Sequence, residues 1–413
     1  MANPLHRHPL IPIALIVVVD VFALTLLIPL LPFYAERFGA TPMQVGALSS
    51  VFALCQLVAG PMLGALSDRV GRRPVLIVSQ LGTLAGFILL GQATSLWMVF
   101  ASRMIDGATA GNLSVAQAYI ADVTPPDRRA RAFGLIGVAF GVGFFLGPWL
   151  SGTLAHRDVR LPILAAACFS ALSVVATAAL LPRRPPATDG AGAQGRRLGL
   201  LSFGRYRDLA TRPALRAVFA QFFLFQLAFA IFAQGFALFA ERRLITAEGA
   251  PWGPREVGRL FAYAGFLGII LQGGVLGRLV ARFGERRVAN SGFAAFAAGY
   301  SLLAFARTLP EVLVATTVSS YGGGAPRPAL TSLVSQRVEP VEQGLALGFT
   351  QSLASIASVS APLIGGALID RGMLTAWALA PAFVAAVALL VRVPDAPHRH
   401  AGAAPAADAA SRG

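Results

Sequence analysis

Apolar runs alternate along the chain with short polar segments that carry most of its arginines. Twelve runs reach the length of about 20 residues that an α-helix needs to cross a bilayer. They cover approximately 10–33, 42–66, 74–93, 96–121, 130–154, 160–181, 213–240, 256–281, 287–307, 310–335, 343–369 and 374–392. The first run exceeds the apolar core of about 7–15 residues found in a cleavable signal, and it carries Asp20 near its middle, so it reads as a retained span. The pattern predicts an all-α membrane protein with twelve transmembrane helices.

Between the sixth and seventh runs lies "PRRPPATDGAGAQGRRLGLLSFGRYRDLATRPALR", a stretch of Pro, Gly, Ala and Arg that cannot bury a core. It divides the chain into a first bundle (1–182), a cytoplasmic linker (183–212), a second bundle (213–393) and a disordered tail (394–413). A short amphipathic helix around Leu198–Leu209 is expected on the inner membrane surface. The second bundle repeats the first. "GPMLGALSDRVGRRPVL", Gly60 to Leu76, returns roughly 213 residues later as "GGVLGRLVARFGERRV", Gly273 to Val288. "FYAERF" at the end of the first run returns as "FAERR" at the end of the seventh. "FGLIGVAFGVGFFLGPWLSGTL" is echoed by "LGFTQSLASIASVSAPLIGGAL", with Pro148 over Pro362 and Gly152 over Gly366. Two parallel six-span halves are the arrangement in which a substrate site lies near the midplane, between repeats that rock against each other.

Composition agrees with the pattern: 56% of the 413 residues are hydrophobic and 13% charged, against about 25% charged in soluble domains. The net charge of +15 would suggest nucleic acid in a soluble protein. Here every basic residue is arginine, and most fall on one side of the predicted membrane. By the positive-inside rule that side is cytoplasmic, both termini lie there, and the arginines meet anionic lipid headgroups of the cell membrane. Cys55 and Cys168 sit inside apolar runs and suggest neither a disulfide nor a metal. All five histidines are at the termini or in an external loop, and no nucleophile–base set appears in the spans, which argues against an enzyme. No cofactor is implied, no sizeable soluble domain offers a sensor output, and a monomer is expected.

Asp20 and Asp106 are the carboxylates placed deep in the spans, each about 15 Å from one end at 1.5 Å per residue. An acid there costs roughly 2.5–3.5 kcal/mol on insertion scales, so it marks a candidate functional site. Arg103 is three residues from Asp106 on the same helix and within reach of it. The plain alternative is a buried ion pair that offsets its own desolvation. Asp20 has no partner nearby in sequence.

The string Gly64-Ala-Leu-Ser-Asp68-Arg69-Val-Gly71-Arg72-Arg73 resembles the signature loop of the major facilitator superfamily. The resemblance covers nearly the whole chain except linker and tail. It implies that Asp68 latches the two halves near the start of the eleventh span in the outward-open state, and that Arg72 pairs with Asp122. In the second copy Glu285 stands over Arg72 and Arg337 over Asp122, a predicted mirror pair with its signs exchanged; Ala281 replaces Asp68. "RMIDGATAG", Arg103 to Gly111, resembles the family's Arg-x-x-x-Gly motif tied to proton coupling. The family's spans one, four, seven and ten line a central cavity, which would put Asp20, Arg103 and Asp106 on its wall. "GVGFFLGPWLSG" resembles the motif of the superfamily's antiporters through Gly143, Gly147, Pro148 and Gly152, with Ser151 replacing one glycine. The first span resembles that of tetracycline efflux pumps. Those pumps also carry acids in the third and ninth spans, whereas this chain has Gln80 and Gln92 in the third, which argues against tetracycline itself as the substrate.

Candidate cavity residues are Asn112 and Gln117 on the fourth span, Phe140 and Phe144 on the fifth, and Gln351 on the eleventh. Phe222, Phe225, Phe229, Phe232, Phe236 and Phe239 form one stripe on the seventh span, with Gln226 at its margin. If that stripe faces the cavity it supplies an aromatic wall for lipophilic molecules; otherwise it packs in a core. Arg327, between two prolines of the tenth span, either snorkels to the inner interface or attracts an anion. Together these features predict a secondary transporter, a proton-coupled antiporter that exports lipophilic small molecules by alternating access. The alternative is a facilitator or symporter for a small, anionic metabolite; a membrane enzyme or sensor is more remote.

Overall fold

A computed structural model describes residues 10–124, 129–182, 203–339 and 342–394. Their helices are α1 (Leu10–Leu27), α2 (Leu31–Glu36), α3 (Pro42–Val70), α4 (Arg72–Gly91), α5 (Leu96–Ala108), α6 (Asn112–Val123), α7 (Arg129–Ala155) and α8 (Leu161–Leu180). A short α9 (Phe203–Thr211) precedes α10 (Pro213–Arg243) and α11 (Pro254–Ile270), which runs through a π-turn at Leu271–Val275 into α12 (Leu276–Phe283). The chain then forms α13 (Glu285–Phe305), α14 (Leu309–Gly324), α15 (Pro326–Gln336), α16 (Gln343–Asp370) and α17 (Leu374–Leu390). Among the described residues nine passes are long and apolar enough to cross a membrane. The α5/α6 and α14/α15 pairs and the shorter α17 supply three more, consistent with twelve passes in two bundles.

Three spans expected to be continuous are interrupted. The first breaks between α1 and α2 at Pro29, where no N–H is available to continue the ladder. The fourth breaks at Thr109–Gly111, inside a glycine-rich string. Ser79 of α4 fills that gap, its hydroxyl bonding the Thr109 carbonyl and accepting the Gly111 N–H at 3.0 Å. Backbone freed within a membrane needs such a partner. The tenth span breaks after Gly322-Gly323-Gly324, and Pro326 restarts it at a first helical position. The helix anticipated at Leu198–Leu209 begins at Phe203; residues 198–202, the rest of the linker and most of the tail lie outside the described residues.

Helix starts follow local chemistry. Thr41 and Gln44 form a reciprocal capping box before α3, and the Glu256 carboxylate accepts the Gly253 N–H before α11. Gly71 and Gly284 occupy equivalent places in the two repeats and have φ of 100° and 80°, a region that favours glycine and turns one helix tightly into the next.

The phenylalanine stripe builds the core of the second bundle. The Phe225 ring meets Phe293 and Phe296 edge-on at 6.3 and 6.2 Å, and Phe232 meets Tyr300 at 4.9 Å and Phe261 at 6.0 Å. Phe239 stacks on the fully buried Trp377 at 4.8 Å. Phe229 lies over Phe225 and beside Gly323. Most of these aromatic side chains pack within the bundle, while Phe229 and Phe232 are only partly buried.

The bundles meet through two copies of one contact. Around Pro148 of α7, the carbonyl of that kinked residue lies against Gly258 of α11, and Gly152 lies against the backbone of Pro254 and Arg255. Around Pro362 of α16, its carbonyl lies against Gly46 of α3, and Gly366 lies against Pro42 and Met43. A Cβ at any of these four glycines would come within 2.2–2.8 Å of a backbone oxygen, so only glycine allows the approach. Ser50 Oγ–H donates to the Val359 carbonyl at 2.6 Å, Ser49 bonds Gln234 at 3.0 Å, and Arg242 pairs with Glu36. All these contacts lie toward the end that carries Pro42, Ala155, Arg243 and Asp370. Toward the other end, Gly60 and Gly64 of α3, Gly134 and Gly137 of α7, Gly277 of α12 and Gly344 of α16 face open space. Among the described residues, these contacts between the halves lie at one end of the helices, and a Cβ at those glycines toward the other end would meet no neighbouring atom within 4 Å.

Candidate functional site

Asp20 lies midway along α1 and is partly accessible. Gln80 of α4 donates from Nε2 to Asp20 Oδ2 at 3.3 Å and to Ser173 Oγ of α8 at 2.8 Å. The Ser173 hydroxyl also bonds the Asp20 carboxylate, and Ser170 Oγ–H donates to the Gln80 backbone carbonyl at 3.3 Å. The carboxylate therefore has neutral donors and no recorded arginine partner. Gln80 had appeared in the sequence only as a residue standing where related pumps have an acid; Ser170 and Ser173 carried no signal, because serine in an apolar helix usually bonds its own backbone.

Arg103 and Asp106 do meet, Nη1 to Oδ2 at 3.1 Å, on the last turns of α5. The pair is 4% and 5% exposed, enclosed by the first bundle. The guanidinium lies 5.9 Å from the Phe52 ring centroid and 5.8 Å from that of Phe87, and Asp106 Cβ sits 3.1 Å from the place a Cβ would take on Gly86. Arg103 Nε and Nη2 are buried without a hydrogen-bond partner. In this conformation both residues are packed between α3, α4 and α5, away from the cavity wall that the family resemblance implied. The physical reason is register: this face of α5 packs on Gly86 and the two rings, where the opposite charges offset each other's desolvation.

At the open end, Arg72 is 6% exposed. Its Nε bonds Asp122 Oδ2 at 2.8 Å, and its Nη1 contacts Asp68 Oδ1 at 2.6 Å and Ser67 Oγ at 2.5 Å. Arg73 donates to the Ala178 carbonyl, and Arg69 is exposed in the last turn of α3. In the second copy, Glu285 Oε1 accepts from Gln336 Nε2 at 2.7 Å and Ser332 Oγ at 3.1 Å, with Arg337 close enough to attract it. Arg337 donates to the Leu333 and Pro394 carbonyls at 3.1 and 2.8 Å.

The α7 glycines serve two different neighbours. Gly143 and Gly147 pack on Val21 and Thr25 of α1, just past Asp20, whereas Pro148 and Gly152 face the opposite bundle. Thr25, whose hydroxyl donates back to the Val21 carbonyl of its own helix at 2.9 Å, was not anticipated. Of the other lining candidates, Gln117, Gln351 and Arg327 are exposed, Gln226 is partly buried, Asn112 begins α6 with its Oδ1 buried and unpartnered, and Phe140 stacks on Phe144 at 6.2 Å.

Comparison with known proteins agrees with this fold. The family profile described as Major Facilitator Superfamily matches residues 13–276 and 244–412. The class C tetracycline resistance protein of Escherichia coli is 33% identical over 364 residues, 87% of this chain and 89% of that protein. Multidrug resistance protein 1 of Bacillus subtilis is 28% identical, covering 84% of this chain and 85% of that protein. The crystal structure of the nucleoside transporter NupG superimposes with a TM-score of 0.75 over 93% of this chain and 98% of the other at 15% identity, which bears on the fold alone. With two repeated six-helix bundles joined through matching glycine–proline contacts, a signature loop built around Arg72, and relatives that span almost its whole length, the chain belongs to the major facilitator superfamily.

Proposed function

We propose that this protein is a proton-coupled antiporter that exports lipophilic small molecules across the cell membrane. The observation that carries this reading is Asp20, a carboxylate at mid-membrane held only by neutral donors and partly accessible in a transporter open at one end. The relatives named for tetracycline and multidrug resistance support drug efflux as the activity. The arginine bias puts the Arg72 loop and both termini in the cytoplasm, which makes the open end the inward one and the described state inward-facing.

In the cycle that follows, substrate enters from the cytoplasm while Asp20 gives up its proton there. The glycine–proline contacts then part at the outer end as the Asp68–Arg72–Asp122 loop closes against the second bundle. Substrate leaves, Asp20 takes a proton from outside, and the inward-facing state returns. With the interior negative, each proton charge moving in releases about 2.3 kcal/mol per 100 mV, which drives export. No metal or cofactor enters the scheme, and anionic lipids meet the cytoplasmic arginines.

A growth-protection screen against many toxic compounds identifies substrates. Uptake of a hit into everted vesicles energised with an acidic interior then tests the coupling. Wild-type protein accumulates the compound and Asp20→Asn does not; undiminished uptake by the variant rejects Asp20 as the coupling residue. A second reading, a facilitator for a small anion, is favoured by one observation: Arg327 is exposed and has no recorded acid partner. Flux that ignores or follows the proton gradient would select it.

A further inference from the structure

Gln80 is 0% exposed, yet its Oε1 is a buried acceptor with no hydrogen-bond partner, while its Nε2 serves both Asp20 and Ser173. A glutamine amide offers two donors on one side and an acceptor on the other. In the arrangement seen, every group aimed at Asp20 is a donor: the amide nitrogen of Gln80 and the hydroxyl of Ser173. That set fits an ionised carboxylate and leaves Oε1 idle. A protonated Asp20 carries a donor of its own and needs an acceptor, which a rotation of the Gln80 amide about its last side-chain bond brings to the same place. After that rotation Oε1 accepts from the protonated Asp20, and Nε2 gives up its bonds to Asp20 Oδ2 and Ser173 Oγ.

We infer that Gln80 is a positioning residue for proton exchange, whose amide turns over with the charge state of Asp20 and holds that side chain in both states. Because Gln80 also bonds Ser173, and Ser170 bonds the Gln80 backbone, the turn ties α1, α4 and α8 to the presence or absence of one proton. The groups bonded to Asp20, Gln80 from α4 and Ser173 from α8, are neutral, so Asp20 is the one titratable member of that set. The inference rests on Asp20 as the proton carrier.

Infrared titration of the purified protein separates the two claims. The protonated carboxyl band that disappears in Asp20→Asn reports Asp20 without any transport assay. In Gln80→Met, which keeps the length and removes both hydrogen-bonding groups, the midpoint of that band moves by about one pH unit, tenfold in proton affinity. The pH profile of export moves with it, whereas a residue that only fills space lowers the rate and leaves the profile in place. In the wild type itself, glutamine-selective isotope labelling reveals a side-chain amide band that shifts with the Asp20 midpoint and is static in Asp20→Asn; this readout stands even if Gln80→Met fails to fold. An Asp20 band that titrates with the same midpoint in Gln80→Met, or amide bands that ignore it, overturns the role of Gln80 and leaves Asp20 as the carrier. Absence of any titrating Asp20 band removes both.

Discussion

Arg103 and Asp106 show how an ion pair survives inside an apolar bundle. Each charge is desolvated, each is opposed at 3.1 Å, and aromatic rings cover the remaining faces of the guanidinium. Removing one partner is therefore worse than removing both. Asp106→Leu is expected to lower stability by about 3–5 kcal/mol, because it leaves Arg103 buried and uncompensated, while the Arg103→Met/Asp106→Leu double variant recovers most of that loss. Thermal unfolding of the wild type and the two variants in detergent checks the order; a double variant worse than Asp106→Leu would mean the pair itself stabilises the bundle. At this scale the sequence was legible where spacing decides contact, as in Arg103–Asp106, and where the resemblance of the signature loop implied a pair, as in Arg72–Asp122. It marked Asp20 but was silent on its partners, which come from α4 and α8 and are neutral, and neutral donors leave no charge pattern to read.

Helices carry the next layer of consequence. The two α7 faces make a prediction that separates folding from gating. Gly147→Val drives a side chain into Thr25 of the same bundle and lowers stability. Gly258→Ala and Gly46→Ala clash across the interface with the Pro148 and Pro362 carbonyls, so they leave each bundle intact and disfavour closure of the outer end. Cross-linking or spin-label distances across that end should lengthen in Gly46→Ala and Gly258→Ala with unchanged unfolding temperature; normal closure would contradict the interface described here. The linker helix is tied down differently. Arg212 forms two bonds to Glu342 at 2.8 and 2.9 Å and a third to Asp208 at 2.8 Å, joining the end of α9 to the start of α16. That hydrogen-bonded guanidinium holds the Glu342 carboxyl below its ordinary value of 4.5. The tie is thus fully present above pH 4.5, and it is lost only as pH falls through the lower folded-state value. Glu342→Gln is expected to speed amide exchange in α9 about two- to fivefold, the effect of a half-exposed pair worth about 0.5–1 kcal/mol. Span positions were readable from apolar runs, and the breaks at Pro29 and Gly322–Gly324 were visible as residue types. Whether such residues break a helix depends on a neighbour able to satisfy the freed backbone, as Ser79 does, and that is a tertiary fact.

The whole molecule is a pair of repeats, and its interface repeats too. Proline over proline and glycine over glycine in the fifth and eleventh spans announced the duplication, and the structure puts both copies in the same contact. Their partners, Gly258 with Pro254 and Gly46 with Pro42, also repeat, although no motif marked them. The "FYAERF" and "FAERR" echoes acquire a role as well, since Glu36 from one copy pairs with Arg242 from the other across the closed end. Glu36→Gln is expected to shift the population up to about fivefold toward the outward-open state, as for a partly exposed ion pair worth about 1 kcal/mol or less. Distances between labels on α2 and α10 report it. The proposed alternation works through these glycine-thin contacts. Coupling of that alternation to protons is the central claim. It is tested most directly in proteoliposomes containing a pH dye, with no proton gradient imposed and a substrate gradient as the sole driving force. Wild-type protein moves protons opposite to the substrate and Asp20→Asn moves none; proton flow in the substrate's direction, no flow in the wild type, or equal flow in both proteins contradicts the account.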